Sequence, residues 1–135
     1  MKKALLSLLL LSTFLYGEYT REDRIKDMQE MAEAMNTIQS GFFYNNYDTV
    51  SAGIEHLTSS TDRIRPPMEE LEEKDVMTRY MNNKFQMTRK VVRQINQKSL
   101  TILQRFKNGD TAQAVQAYKK ILAQCMACHR ETRNW

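Results

Sequence analysis

The sequence predicts an all-α protein, an antiparallel four-helix bundle, on three observations. Apolar residues recur at three- and four-residue spacings over long stretches, the period of helices with one buried face. The 135 residues include only four glycines and two prolines, and alternating β-branched runs, the mark of strands, are nearly absent. The glycine and proline punctuation leaves four helical stretches, with short connections between the first and second and between the third and fourth. Short connections make antiparallel neighbours.

Before the first helix comes a leader. Met1-Lys2-Lys3 is followed by an almost wholly apolar run from Ala4 to Leu15, and Tyr16-Gly17 precedes the polar Glu18. A charged start, a short apolar stretch and a small residue at the end read as a secretory signal peptide, residues 1–17, cut near Gly17. The apolar run falls short of the roughly 20 residues a membrane span needs, so the mature chain is expected to carry none. Removing 17 residues from 135 leaves 118, residues 18–135, the size of one domain. Without Lys2 and Lys3, the 20 basic residues become 18 against 16 acids, a net charge of +2. So small an excess gives no argument for nucleic acid.

Thr20 is suited to cap the first helix, with Glu22 and Asp23 in its opening turn. Ile25, Met28, Ala32, Met35 and Ile38 mark its apolar stripe, Met31 lies beside them, and Gly41 is the expected C-terminal stop. An aromatic connector, Phe42 to Tyr47, leads to Asp48 as the expected cap of a shorter helix lined by Val50, Ile54 and Leu57. That helix is expected to fade at Thr58–Thr61, and Pro66-Pro67 enforces a break. The acidic stretch Glu69–Asp75 reads as a solvated lead-in.

The third helix is expected from Val76 to Phe106. Val76, Tyr80, Met87, Val91, Ile95, Ile102 and Phe106 trace its buried side, widened by Met77, Met81, Phe85, Val92 and Leu103. Asn108-Gly109-Asp110 then stops one helix and starts the next, with Gly109 ending the third and Asp110 capping the fourth in a capping-box arrangement with Gln113. Ala112, Val115, Tyr118, Ile121, Leu122, Cys125 and Cys128 continue the apolar face of the last helix.

That last helix carries the chemistry. Cys125-Met126-Ala127-Cys128-His129 is a C-x-x-C-H run, the signature of covalent c-type haem attachment, and it uses the only two cysteines of the chain. Each thiol adds across one haem vinyl group to form a thioether, and His129 follows directly to bind the iron. Three other readings of the pair stand beside this one. A dithiol redox motif expects a thioredoxin-like strand–helix setting, and a closed structural zinc site needs four ligands where no second Cys/His pair exists. Two structural thiols falling at this spacing by chance is the third. The cofactor expected is one haem c, held by Cys125 and Cys128 with His129 as proximal iron ligand. The haem then hangs on the last helix of the bundle.

Four helices, a glycine after the first, and C-x-A-C-H near the end together resemble the class II c-type cytochromes, the cytochrome c-prime family, over the whole mature chain. The resemblance implies a periplasmic haem protein that carries electrons or binds nitric oxide or carbon monoxide. It also implies a haem inside the bundle against the first helix, and a homodimer through the first two helices, to which Phe42-Phe43-Tyr44 would contribute. Arg133, four residues after His129, matches the arginine the family places beside the proximal ligand. Thr132 departs from the aromatic residue usual before that arginine. Counted back from Gly41 without a gap, the family register puts Ile25 over the iron as the distal-pocket residue and Arg21 near a propionate. Met28, one turn further along the stripe, is the candidate sixth ligand, ahead of Met31 and Met35. Core packing is the ordinary role of all three.

The axial partner divides the functions. A Met/His site has a raised reduction potential and reorganises little, which suits an electron carrier whose partners are periplasmic redox proteins. An open site beneath Ile25 would admit small neutral diatomics, nitric oxide or carbon monoxide. A third class is a helical interaction protein with a reactive thiol pair and no haem. His56, between Glu55 and Leu57, reads as a surface imidazole. Lys119, Lys120, Arg130 and Arg133 near the attachment end read as solvated charges or as a surface steering acidic partners. Glycine-rich phosphate loops and a Ser/His/Asp set are missing, so no enzymatic activity is expected.

Overall fold

The computed structural model describes residues 19–64, 75–81 and 83–132, with the side chains of 79–85 and 132 left aside. The signal-peptide reading, the Pro66-Pro67 break, most of the acidic stretch before Asp75, Arg133, and the buried places expected for Tyr80, Met81 and Phe85 lie outside the described residues. Within them the chain is all-α, as expected. Its helices are α1 (Arg21–Phe43), α2 (Tyr47–Arg63), the short α3 (Val76–Met81), α4 (Asn83–Lys107) and α5 (Thr111–Thr132).

Local chemistry sets the ends of α1. Thr20 caps it through a capping box: the Asp23 amide donates to Thr20 Oγ1 at 3.1 Å, and the Thr20 amide donates to Asp23 Oδ2 at 2.8 Å. The Thr20 amide, with the Thr20 hydroxyl donating to the same Oδ2 at 2.8 Å, holds the Asp23 carboxyl below the usual carboxylate range. At the other end the helix does not stop at Gly41. It runs on to Phe43, and Asn45 takes the left-handed conformation, φ 49°. The Asn46 amide donates to Gly41 O at 2.9 Å and the Asn45 amide to Phe42 O at 3.2 Å, a Schellman closure.

Gly41 serves another purpose. A Cβ there would stand 2.6 Å from Val50 Cγ2 and 2.8 Å from Val50 N, so the glycine lets α2 lie directly against α1. Asn46, not Asp48, caps α2, accepting from the Thr49 amide at 3.0 Å. One asparagine thus closes one helix and opens the next. α2 also runs past its expected end, through Ser60 and Thr61, which are fully buried. Thr61 Oγ1 donates to Leu57 O within the helix, so its hydroxyl is satisfied without a turn.

The α4–α5 connection repeats the device. The Asp110 amide donates to Arg105 O at 2.9 Å and the Gly109 amide to Phe106 O at 3.0 Å, with Gly109 at φ 77°. Asp110 then caps α5, accepting from the Gln113 amide at 3.2 Å. Gly109 as the stop and Asp110 as the cap both hold, but the return bond of the expected capping box is replaced by the Asp110 amide's bond to Arg105 O. α3 starts on its own cap, with Asp75 accepting from the Met77 and Thr78 amides. Val76 and Met77, expected inside, are 67% and 65% exposed.

Backbones come close between α1 and α2, α4 and α5, and α2 and α4. α1 and α5 are joined instead by long side chains: Tyr118 OH donates to Met35 O at 3.3 Å, and Phe42 stands edge-on to Tyr118 at 5.8 Å and tilted to Phe106 at 5.3 Å. α1 pairs its C-terminal half with the start of α5, so the two run antiparallel. The core between them holds Ile38, Leu57, Ile95, Ile102 and Ile121, all essentially inaccessible to solvent.

Two faces differ from expectation. On α1 the buried residues are Asp27, Met31, Ala34, Met35, Ile38 and Gly41, whereas Ile25 is 43% exposed and Ala32 is exposed. On α5 the small Ala114 and Ala117 are buried while Ala112 and Leu122 are exposed, and α5 packs most closely on α4. Phe43 and Tyr44 project into solvent at the α1–α2 corner, whereas Phe42 turns inward.

Candidate functional site

The site lies at the bundle end opposite the Phe42–Tyr118 cluster, roughly 20 Å along α1 from it at the usual helical rise of about 1.5 Å per residue. The last turns of α5 bring Cys125, Cys128 and His129 there, and the second turn of α1 brings Met28. Cys125 and Cys128 are three apart on one helical face, neither in a disulfide, both partly buried and packed against the core. His129 is partly buried. Its Nε2 lies 3.4 Å from the sulfur of Met28, a contact between residues 101 apart in sequence.

Of the α1 side chains named from the sequence, Met28 is the one that meets His129, while Ile25 is 43% exposed. Met31 and Met35 point into the core, at 6% and 7% exposure. Arg21 is the exposed first residue of α1. His56 is an exposed imidazole of α2, 3.9 Å from a Glu30 oxygen.

The electrostatics of the thiols bear on their chemistry. Burial, helped by the neighbouring Cys128, pushes the Cys125 thiol up to about 11. A redox dithiol needs the opposite, a lowered pKa that populates the thiolate at neutral pH. Among the described residues no group of three or more His, Cys, Asp and Glu side chains converges to hold a bare metal ion. Neither a thioredoxin-like reaction nor a closed zinc site is supported by this arrangement.

Two features escaped the reading of the sequence. A groove of about 690 Å³ runs between α4 and the last turn of α5, lined by Gln86, Met87, Arg89, Lys90, Arg93 and Glu131. Its signal was present as a stripe, since 86, 89, 90 and 93 share one helical face. The second feature is Asp27, buried at 4% exposure one residue before Met28. Extending the stripe of Met31, Ala34, Met35 and Ile38 back by one turn lands on it, but a carboxylate is not counted as core by hydropathy.

Among the described residues, no helix is long and apolar enough to cross a membrane. Comparison with protein-family models, with curated proteins and with solved structures finds no match.

Proposed function

We propose that this chain is an exported, periplasmic c-type cytochrome of the class II kind, an electron carrier rather than an enzyme, holding one haem covalently. The observation that carries the reading is the meeting of His129 with Met28 across two helices, beside the half-buried Cys125 and Cys128. The donor set fits the group. Two thiols on one helical face suit a pair of thioethers, and an imidazole facing a thioether suits an iron with two axial ligands. α1 and α5 meet at this end through side chains, which can part around a flat ring more readily than packed backbones could.

A haem bound here would supply a one-electron iron couple, at a potential that methionine opposite histidine raises. The remaining tasks belong to the chain. Cys125 and Cys128 anchor, His129 presents a ring nitrogen from a rigid helix, and Met28 presents a neutral sulfur from the facing one. Met31, Met35 and Ile121 keep water out behind them. The test is a haem stain after denaturing electrophoresis of the exported protein. The band is expected to stain, and to lose the stain in Cys125→Ser/Cys128→Ser. An unstained wild-type band removes the reading.

The partners in this reading are acidic redox proteins, met at the cationic groove. Arg89, Lys90 and Arg93 are exposed along it, and Arg130 is exposed on α5 beyond Glu131. Exposed charges of this kind raise encounter rates and are screened by salt. Neutralising the three α4 cations to Gln should slow oxidation of the reduced protein by hexacyanoferrate(III), an anionic one-electron oxidant. The slowing is expected to be several-fold at low ionic strength and to vanish at high. Equal rates at all salt concentrations would remove the groove from the path.

A further inference from the structure

One residue before Met28, the carboxylate of Asp27 is buried at 4% exposure, and the groups around it come from two other parts of the chain. Tyr19 OH donates to Asp27 Oδ2 at 2.8 Å, and Arg63 Nε donates to Asp27 Oδ1 at 2.8 Å. The same guanidinium pairs with the Glu30 carboxylate through Nη2, reaches the buried Ser60 Oγ at 3.1 Å, and donates to Ser59 O at 3.3 Å. Ser60 Oγ also donates to Glu30 at 3.1 Å. Arg63, the last residue of α2, thus grips α1 at two positions nearly one turn apart, Asp27 and Glu30.

Such a clamp acts on rotation. Successive residues of a helix point about 100° apart, so any turn of α1 about its axis that moved Met28 would also drag Asp27 off Arg63. A buried carboxylate stripped of its cation is costly, whereas an apolar face tolerates sliding. The hydrophobic stripe alone specifies the rotation of α1 loosely, because apolar contacts are non-directional. An ion pair whose carboxylate is buried is one way a fold selects a single register among near-equal packings.

We propose that Asp27 and Arg63 are positioning residues that hold Met28, rather than another residue of α1, against His129. The inference rests on the reading of this site as haem-binding with Met28 as the sulfur donor. Arg63 acts through the helix that Asp27 shares with Met28.

The experiment uses the haem-loaded, exported protein and reads the methionine-to-iron charge-transfer band of the ferric form and the fraction of the ferrous form that takes up carbon monoxide. In Arg63→Ala the band is expected to fall by at least half and the carbon monoxide-reactive fraction to rise at least tenfold, with helix content by circular dichroism unchanged. Arg63→Lys, which keeps the charge, should recover part of the band. Arg105→Ala, which breaks an ion pair with Asp110 at the far end of the bundle, should leave both readouts as in the wild type. Should Arg63→Ala fail to fold, Asp27→Leu/Arg63→Leu, which removes both charges together, serves instead with the same expectation.

A folded, stained variant lacking Arg63 that keeps the full wild-type band overturns the proposal. So does a stained wild type without a methionine band, which refutes Met28 as ligand while leaving haem attachment intact. An unstained wild type refutes the haem reading itself, and the clamp's proposed role with it.

Discussion

On the proposed haem reading, replacing Met28 with alanine is expected to turn an electron carrier into a carbon monoxide binder. The thioether sulfur is the group that faces His129, at 3.4 Å, and Ile25, the other side chain suggested for that place, is 43% exposed on the outside of α1. Removing the sulfur leaves no second donor at that position. Met31 and Met35 are held in the core by their own packing. The ferrous Met28→Ala protein should therefore bind carbon monoxide stoichiometrically, where the wild type binds little. Its reduction potential should drop, since axial ligands set haem potentials over about 0.8 V and loss of methionine lowers them by on the order of 0.1 V. Helix content should not change, because Met28 is only partly buried. A variant with the wild-type potential and no carbon monoxide affinity would show that the sulfur plays no part at the iron.

The second large effect is expected at a residue remote from the chemistry. Gly53 of α2 faces α1 so closely that an added Cβ would stand 2.8 Å from Ile38 Cγ1, 2.9 Å from Ile38 N and 3.1 Å from Ala34 O. Two of those three atoms are backbone and cannot rotate aside. Gly53→Val must push α1 and α2 apart, and overpacking of this kind costs about 3 kcal/mol. For a domain of this size the melting temperature should fall by roughly 10–15 °C. The same displacement would disturb the approach of α1 to α5. Thermal unfolding by circular dichroism reads the first effect. A melting temperature within a few degrees of wild type would mean that the α1–α2 contact is looser than the geometry describes.

How much of this was legible in the sequence depended on whether a signal was local. Thr20 and Asp110 as caps and Gly109 as a left-handed stop were all readable, because each depends on a few adjacent residues. So was the C-x-x-C-H run. Gly41 was not readable in the same way. A glycine near a helix end fits a terminator or a close helix contact equally well, and only Val50, brought up by α2, decides between them. Ser60 and Thr61 looked like a fading helix because their hydroxyls favour turns. In the fold one hydroxyl bonds back to its own helix and the other to Glu30.

The site shows the same division. Its α5 half is contiguous and was visible at once. Its α1 half depended on which way one helix is turned, and that is governed by Asp27 and Arg63, two charged residues that an apolar stripe ignores. Val76 and Met77 mark the converse case, apolar residues in helical period that are exposed among the described residues.

The most direct test of the central claim, a covalent haem with its iron between His129 and Met28, is the absorption spectrum of the purified wild-type protein. It should be recorded oxidised, reduced, and reduced under carbon monoxide. The account predicts a low-spin ferric spectrum with a methionine-to-iron charge-transfer band, and a reduced spectrum that carbon monoxide leaves nearly unchanged. A five-coordinate, high-spin ferric spectrum that shifts fully under carbon monoxide would contradict it, and would make the protein a binder of small diatomic gases instead.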